Sequence, residues 1–366
     1  MKILLLFTLS ICSALVSYQN TEIFPTIYGE LIITEPVLIK LINDPWMQRL
    51  KKIHQYGFDY YAHKKQEYNR FEHSLGVLFL LKKFGADERE QVAGLLHDIS
   101  HTAFSHVADY IYKNGDGDSS YQDDIQEKFL ERTSIKKILE DFGYKITDIK
   151  EKNNNFFLLE QNLPNICADR LEYNLYEAYL ENLMTLSDIK KLLDHLHYKE
   201  KTWYFDDANF AKQFGLISLH LTYFRTGSKE NLLRNKLGAQ LIKYGFTINL
   251  FTEFEFRYGT DDVIWNKIIQ SDNPTIMNLK LQILQAKELS QNPNLSLPKG
   301  KFRGVNPLVY LNGNYVRLTE IDKKFTMLFE FVKCQIDNNY LPTQNSLNTV
   351  SNPASLIDLP VSSDKS

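Results

Sequence analysis

The chain has 366 residues, of which 43% are hydrophobic and 24% are charged, so it can bury a large core. This composition excludes a largely disordered or collagen-like protein. The 42 basic residues nearly balance the 45 acidic ones, which argues against an extended basic surface for nucleic acid. Any bound phosphate must therefore be met by a local cluster of cations.

The first seventeen residues have the layout of a targeting segment. A single lysine precedes a mostly apolar run from Ile3 to Val16, and the small residues Ala14 and Ser17 stand where a peptidase could cut. The run is too short to span a bilayer comfortably and is typical of a secretory signal peptide. We predict a signal peptide over residues 1–17, and hence a secreted or periplasmic protein. If the leader is retained as a buried strand or helix, the protein is cytoplasmic.

The three cysteines form neither a disulfide framework nor a CxxC zinc spacing. Cys12 lies in the leader, where the bulky Ile11 before it weakens the alternative of a lipoprotein signal. Removal of the leader would leave Cys167 and Cys334. We expect the fold not to rely on either.

Helical periodicity dominates the chain after a short hairpin, which is predicted over residues 23–33 around Tyr28-Gly29. Pro36 and Pro45 can each open a helix. Further helices are predicted at about 72–84, 87–98, 103–113, 122–131, 134–142, 165–182 and 186–196. The pattern then predicts a strand at 202–206, helices across 208–250 and a hairpin at 305–318. The fold class is mostly α, with a small β-containing C-terminal part.

These elements suggest a division of the chain into three parts after the leader. Residues 18–200 form a helical core, and residues 201–343 form a helical and β-hairpin C-terminal part. Residues 344–366 are rich in Ser, Asn and Pro and are predicted to be a disordered tail. We predict no transmembrane segment in the mature chain.

Candidate metal ligands gather on two of the predicted helices. His73 is surrounded by apolar positions, so its imidazole should point inward, where it needs a partner. The next helix is apolar until it delivers His97 and Asp98 side by side. The start of one helix and the end of the other are adjacent in an antiparallel pair, so one cation can contact His73, His97 and Asp98, and Asp169 could close the set. Mixed imidazole and carboxylate ligands suit Mn²⁺, Fe or Zn²⁺.

Three motifs carry a resemblance to a known family. They are NRFEHSLG at 69–76, GLLHD at 94–98 and ADRLEY at 168–173. Together they resemble the H, HD and D signature of the HD-domain metal-dependent phosphohydrolases. Within that superfamily, the HDISHTAFSH stretch at 97–106 is most similar to the deoxynucleotide triphosphohydrolase branch, which contains the vertebrate SAM-and-HD-domain enzyme. The resemblance is strong over about 23–180 and implies an HD-domain helical bundle.

The resemblance implies a role for each candidate residue. One divalent ion (Mn, Fe, Zn or Mg) would be held by His73, His97, Asp98 and Asp169. The catalytic group would consist of His101, His106 and Asp169, with His101 protonating the leaving oxygen or orienting the attacking water. The substrate would be bound by Arg70, Arg170, Gln55 and Tyr173. The competing interpretations are local ion pairs with Glu72 or Glu172 for the two arginines, and simple packing for Gln55 and Tyr173.

One departure from the family pattern concerns catalysis. The triphosphohydrolase branch commonly has a further histidine after the HDxxHxxFSH-like stretch, whereas this chain has none between His106 and His195. Gln122 or Gln126 could occupy that place, and glutamine cannot shuttle protons at neutral pH.

The predicted function is a metal-dependent phosphohydrolase that acts on a small phosphorylated substrate. The substrate would be a nucleotide-like phosphate ester or anhydride, with a (deoxy)nucleoside triphosphate among the candidates. The alternatives are a catalytically lapsed HD module that binds metal and nucleotide as a sensor or assembly protein, and a phosphodiesterase. The sequence is compatible with a homo-oligomer.

Overall fold

Helices form most of the structure, a computed structural model that describes residues 21–63, 67–113, 120–150 and 156–338. The predicted signal peptide at 1–17 and the predicted tail at 344–366 lie outside the described residues. The helices of the first half are α1 (Pro36–Ile42), α2 (Pro45–Arg49), α3 (Phe58–His63), α4 (Arg70–Lys83), α5 (Glu88–Leu96), α6 (Val107–Tyr112), α7 (Tyr121–Glu131) and α8 (Ser134–Asp141). Those of the second half are α9 (Ala168–Leu180), α10 (Leu186–Asp194), α11 (Ala208–Leu221), α12 (Lys229–Thr247), α13 (Glu253–Tyr258), α14 (Asp261–Gln270), α15 (Pro274–Leu284), α16 (Ala286–Leu289), α17 (Leu318–Ile321) and α18 (Lys323–Asp337). The predicted mostly α fold class is confirmed.

An antiparallel hairpin opens the described chain, as predicted. Strands β1 (Glu22–Thr26) and β2 (Gly29–Ile33) pair from Glu22↔Ile33 to Thr26↔Gly29. Gly29 has a φ of 126°, which a residue with a side chain rarely adopts, so the glycine is required at this turn. The neighbouring Tyr28 stacks on Phe79 of α4. The hairpin is thereby held against α4.

Helix α4 is the centre of the N-terminal bundle. Asn69 and Glu72 form a capping box, so the helix begins within the NRFEH motif. A methyl group at Gly76 would overlap the Glu172 carboxylate of α9, and one at Gly94 of α5 would overlap Leu81. The two glycines therefore allow α5 and α9 to approach α4 closely.

The segment between α5 and α6 differs from the prediction of helices at 87–98 and 103–113. Helix α5 ends at Leu96, and the residues up to His106 form turns. Phe104 and Ser105 have φ values of 59° and 52°, which are incompatible with a right-handed helix. The Phe104 N–H donates to Asp261 of α14 at 2.6 Å. His101 is therefore placed by a turn and not by a continuing helix.

A four-stranded sheet joins the two predicted parts of the chain. Its strand order is β3 (Leu196–Lys199), β4 (Thr202–Phe205), β5 (Leu308–Leu311) and β6 (Asn314–Arg317). Strands β4 and β5 run parallel through the pair Phe205↔Val309. The predicted strand at 202–206 and the predicted hairpin at 305–318 are both present. The predicted boundary at residue 200 falls in the β3–β4 turn, so the two parts share one sheet.

Two apolar clusters fill the interior of the described chain. The larger cluster packs α4, α5 and α9 together with the sheet and α18. The smaller cluster joins α3 and the 103–108 segment to α12, α14 and α15. Within the described residues, no helix is both long enough and apolar enough to cross a membrane.

Candidate metal centre and adjoining cleft

His73, His97 and Asp169 place donor atoms close enough together to hold one ion, and the fourth predicted ligand, Asp98, lies beside the two histidines. His73 lies on α4, His97 and Asp98 directly follow α5, and Asp169 lies in the first turn of α9. His73 Nε2 lies 3.1 Å from His97 Nε2 and 3.0 Å from Asp169 Oδ1. His97 Nε2 lies 3.5 Å from Asp169 Oδ1. The structure thus brings together residues that are up to 96 positions apart in the sequence.

The fourth predicted ligand, Asp98, lies close to both histidines. Its Oδ2 lies 3.6 Å from His73 Nε2, and its Oδ1 lies 3.6 Å from His97 Nε2. The donor atoms are therefore two imidazole nitrogens and carboxylate oxygens from two aspartates. This set suits a divalent transition ion, and two facing nitrogens at 3.1 Å require a proton or a cation between them.

Hydrogen bonds on the far side of each imidazole orient the two ligand nitrogens. His73 Nδ1 lies 2.5 Å from Glu172 Oε2, and His97 Nδ1 lies 2.7 Å from the Gly94 carbonyl. Because each Nδ1 has an acceptor, Nδ1 carries a hydrogen, and Nε2 is the nitrogen that faces the cluster and would bind a metal in place of a proton. Tyr68 also donates to Glu172, at 2.6 Å. A buried carboxylate with several donors is the usual support of a histidine ligand.

The pKa values of the cluster reflect its opposite charges. Burial lowers the pKa of His73, but Glu172 and Asp169 raise it further, to about 9. Burial raises the pKa of Asp98, but the Arg70 guanidinium and the nearby histidines lower it well below its usual range. Burial likewise opposes ionisation of Asp169, and His73 and His97 outweigh it and lower the pKa. Both aspartates are therefore ionised at neutral pH, as metal ligands must be.

Arg70 connects the metal cluster to an open cleft. Its Nη1 donates to Asp98 Oδ2 at 2.6 Å, and its Nε donates to Ser105 Oγ at 3.1 Å. Its Nη2 is buried without a hydrogen-bond partner among the described residues. Arg70 also lines the cleft, which has a volume of about 170 Å³. A guanidinium with an unused donor beside a candidate metal site is suited to bind a phosphate oxygen.

The two predicted catalytic histidines lie in different surroundings. His101 is fully buried and does not line the cleft, and its Nε2 lies 3.2 Å from Asp98 Oδ1. Burial and the charge of Arg70 lower its pKa to about 3, so it is neutral at physiological pH. His106 does line the cleft, and its Nδ1 lies 3.2 Å from Asp109 Oδ2. Burial raises the pKa of Asp109, but the His106 hydrogen bond and charge lower it to about 2.

The predicted substrate residues divide into two groups. Gln55 and Tyr173 line the cleft, and the Gln55 Oε1 and the Tyr173 hydroxyl are buried without a hydrogen-bond partner in the described part of the chain. Arg170 lies elsewhere, because its guanidinium donates to Glu160 Oε1 at 2.8 Å and to the Asn165 carbonyl at 2.6 Å. Arg170 is an ordering residue for the loop before α9, and we leave it out of the phosphate site proposed below.

The glutamines that could replace the missing histidine both contact the α5–α6 segment. Ser100 Oγ donates to Gln122 Oε1 at 2.9 Å. Gln126 Nε2 donates to the carbonyls of Leu96 and His97. Neither glutamine lines the cleft, so both support the segment that carries the ligands.

Sequence reasoning missed several residues of the site. Glu172 was considered only as an ion-pair partner, although it lies one helical turn after Asp169 on α9. Arg49 donates to the carbonyls of Ile99 and His101, which fixes the turn after α5. Arg225, Lys299 and Arg303 also line the cleft, and they come from parts of the chain beyond the recognised motifs. Of these residues, only Glu172 could have been predicted from the sequence, because it lies on the same helix as the ligand Asp169.

A second cluster with metal-ligating residue types contains Asp59, His63 and Glu230. An arginine already fills it, because Arg234 Nη1 donates to Asp59 and Arg234 Nη2 donates to Glu230 at 2.5 Å. Arg234 is 1% exposed, so its guanidinium is part of the core. This cluster is a buried ion-pair network at one wall of the cleft.

Comparisons with known proteins agree with this geometry. The family model of the HD domain matches residues 70–199, which include all four candidate ligands. The chain is 30% identical over 312 residues to YdhJ of Bacillus subtilis, which covers 84% of this chain and 94% of that protein. It is 29% identical over 303 residues to the metal-dependent phosphohydrolase cns2 of Cordyceps militaris, covering 78% of this chain and 84% of that protein. The chain therefore belongs to the HD-domain superfamily of metal-dependent phosphohydrolases.

Other similarities are either shorter or limited to the fold. The human deoxynucleoside triphosphate triphosphohydrolase SAMHD1 is 38% identical over 98 residues, which cover 23% of this chain and 16% of that protein. A crystal structure of a phosphohydrolase from Bacteroides thetaiotaomicron has a TM-score of 0.62 at 15% identity and covers 86% of this chain and 97% of that chain. The latter shows that the fold extends over nearly the whole described chain.

Proposed function

We propose that the protein cleaves a phosphate ester or anhydride of a small nucleotide-like substrate that binds in the cleft beside the metal cluster. The observation that carries the proposal is the position of Arg70, which lines the cleft, contacts Asp98 with one nitrogen and has a second nitrogen without a partner in the described chain. The name of cns2 supports phosphate hydrolysis, and the short similarity to SAMHD1 supports testing nucleoside triphosphates.

The metal would be held by His73, His97, Asp98 and Asp169. When bound, a divalent cation supplies charge neutralisation and Lewis-acid polarisation at a phosphate oxygen. Arg70 binds and orients the same phosphate through its free nitrogen. The open end of the cleft receives the rest of the substrate, where Gln55 and Tyr173 offer unused polar atoms.

His106 is the group best placed to move a proton at the leaving oxygen. It lines the cleft, and Asp109 accepts from its Nδ1, which leaves Nε2 for the substrate. His101 lies behind it, with the two rings 5.2 Å apart and nearly perpendicular. We therefore assign proton transfer to His106 and a positioning role to His101, which differs from the sequence-based expectation that gave this role to His101.

The test combines metal analysis with phosphate release. Metal-loaded protein should hold close to one divalent ion and release phosphate from p-nitrophenyl phosphate, AMP, ATP or dATP, or inorganic triphosphate from ATP or dATP. Asp169→Asn should lose the ion with little unfolding, and Asp194→Asn, which removes an exposed carboxylate, should keep it. Asp98 is less suitable, because its removal also strands the buried Arg70 charge.

Full metal occupancy in Asp169→Asn would refute the ligand assignment. Absence of both phosphate and triphosphate release from every substrate at full metal loading would favour the second candidate, a binding module with lapsed catalysis. The glutamines at 122 and 126 motivate that candidate. Release of a phosphomonoester from a cyclic nucleotide, without free phosphate, would instead indicate a phosphodiesterase.

A further inference from the structure

A short cationic segment forms one wall of the cleft and has no part in the metal cluster. It consists of residues 299–303, Lys-Gly-Lys-Phe-Arg, and lies outside the region matched by the HD-domain model. Lys299, Lys301 and Arg303 all line the cleft. We refer to these five residues as the cationic segment.

The charged side chains of the segment face the cleft because successive residues point in opposite directions. A methyl group at Gly300 would contact Ile336 of α18, and Phe302 packs edge-on against Phe329 of α18 at 5.1 Å. Even-numbered residues therefore face the helix, and odd-numbered residues face the cleft, as in an extended chain. The Val305 N–H donates to the buried Ser218 hydroxyl at 3.0 Å and anchors the end of the segment. The cations are thus held in place by the packing behind them.

The described acidic residues of the cleft do not form ion pairs with Lys299 or Arg303. Asp59 and Glu230 are engaged by Arg234, and Asp109 is engaged by His106. Burial and the neighbouring Glu181 raise the pKa of Glu177 to about 8, so this carboxyl is mostly neutral at pH 7. Among the described residues, neither Lys299 nor Arg303 makes an ion pair. The cleft therefore keeps positive charge that an anionic ligand can use.

Helix α9 leads from the metal cluster to the part of the cleft near Arg303. Asp169, Tyr173 and Glu177 follow one another at four-residue intervals on α9, so Glu177 lies about 12 Å along the helix from the metal ligand. Arg303 acts electrostatically on both Tyr173 and Glu177. The Tyr173 hydroxyl and Glu177 Oε2 are buried without hydrogen-bond partners in the described chain. Tyr173 and Glu177 thus place neutral polar groups along α9 between the metal ligand Asp169 and the region near Arg303.

We propose that the cationic segment is a second anion subsite that binds the non-scissile phosphate of a substrate with phosphates at two positions of one sugar. A nucleoside 3′,5′-bisphosphate has this arrangement. The proposal rests on the proposed function, because the metal cluster defines which phosphate is cleaved. The sugar occupies the space beside Tyr173, and the second phosphate reaches Lys299, Lys301 and Arg303.

The experiment compares the binding of three nucleotides to the full metal-loaded chain. Adenosine 3′,5′-bisphosphate, AMP and ATP are titrated calorimetrically in a His106→Gln background, which slows turnover. The bisphosphate should bind at least about tenfold more tightly than AMP, as expected for one added charge-assisted contact. Lys299→Gln/Lys301→Gln should abolish this preference and change AMP affinity by less than about twofold. Arg303→Gln should act in the same direction.

The control is Lys190→Gln/Lys191→Gln, which removes the same charge from exposed positions on α10. An equal effect of the control would overturn the proposal, because the gain would then come from net charge alone. Equal affinity for the bisphosphate and AMP, a segment-dependent gain for ATP instead of the bisphosphate, or no binding of any of the three would also overturn it.

Hydrolysis of p-nitrophenyl phosphate separates this proposal from the proposed function. That substrate has one phosphate, so the metal-loaded wild-type protein should turn it over whether or not the bisphosphate preference is present. Turnover without a bisphosphate preference would refute only the second subsite. A segment-dependent bisphosphate preference without any turnover would refute only the hydrolase function.

Discussion

Glu172 is the residue on which the orientation of His73 depends. Its carboxylate contacts His73 Nδ1 and accepts hydrogen bonds from Tyr68 and Tyr28. Glu172→Gln keeps the shape of the side chain but weakens its acceptor strength. We expect the metal dissociation constant to rise by about tenfold to a hundredfold, with the fold retained. A metal titration of the stripped protein measures this, and Glu288→Gln, an exposed substitution on α16, is the control. An unchanged dissociation constant would contradict the supporting role.

His106 gives a direct test of proton transfer. His106→Gln should lower turnover by about a hundredfold, because a titratable imidazole is lost at the cleft, while metal content stays constant. His197 is a matched control, since it also pairs with an aspartate, Asp206, and does not line the cleft. His197→Gln should leave turnover unchanged. Equal turnover in wild type and His106→Gln would remove His106 from the mechanism.

The placement of the four predicted ligands could be anticipated, whereas the substrate residues could only be partly anticipated. His73, His97, Asp98 and Asp169 occur in short motifs whose residue types are costly to bury without a partner. Arg170 follows Asp169 in sequence, but successive residues on a helix point in different directions, and its side chain reaches Glu160. Adjacency in sequence was therefore a poor guide to adjacency in the cleft.

At the scale of elements, the turn between α5 and α6 depends on Asp261. Its carboxylate accepts from the His54 N–H at 2.9 Å and from the Phe104 N–H at 2.6 Å, and it is fully buried. Asp261→Ala would leave two buried donors unsatisfied. We expect it to lower the free energy of unfolding by about 2–6 kcal/mol, at about 1–3 kcal/mol for each donor. Denaturant unfolding measures this value, and Asp262→Ala, at an exposed neighbour, should have little effect. A similar stability for both variants would contradict the anchoring role.

The contact between α4 and α9 gives a second prediction at this scale. Alanine normally favours a helix over glycine by about 1 kcal/mol. At Gly76, however, the added methyl group would displace the Glu172 carboxylate. Gly76→Ala should therefore weaken metal binding, as Glu172→Gln does. In a Glu172→Ala background the methyl group has room, so Gly76→Ala should then have no further effect on metal affinity. Additive effects of the two substitutions would show that Gly76 acts elsewhere.

Most helices could be predicted because their apolar periodicity and caps are local signals. The turn at 97–106 could not, because the left-handed backbone at Phe104 and Ser105 is stabilised by Asp261, more than 150 residues away in the chain. The same limit applies to the β4–β5 pairing, which joins Phe205 to Val309. Contacts between distant segments override local propensity at these positions.

At the scale of the whole molecule, residues 18–200 share a sheet and an apolar cluster with later parts of the described chain. The β3–β4 hairpin crosses residue 200, and the larger apolar cluster includes residues from both sides of it. The cleft also needs Arg225, Lys299 and Arg303. A fragment ending at residue 200 should therefore unfold without cooperativity and should not retain the metal. Circular dichroism melting and metal analysis test this, and a cooperative, metal-bearing fragment would contradict it.

A further prediction for the whole molecule concerns the leader at residues 1–17. If residues 1–17 are a signal peptide, protein from its native source should begin at or just after Leu15. Mass spectrometry of the intact protein checks this start. An intact Met1 in protein recovered from the cytoplasm would refute the secretory prediction and leave the metal centre unaffected.

The wide spacing of the ligands has a consequence for where the metal is acquired. His73 and Asp169 are 96 positions apart, and they meet only when α4, α5 and α9 are packed. An unfolded chain has no preformed site of this kind, so the chain can take up the ion only once these helices have packed. The ion found in the native protein therefore depends on the metal supply of a compartment that the folded chain has occupied. The metal bound by protein made with residues 1–17 can be compared with the metal bound by protein made without them. A difference between the two would show that the leader changes the compartment in which the chain takes up its ion.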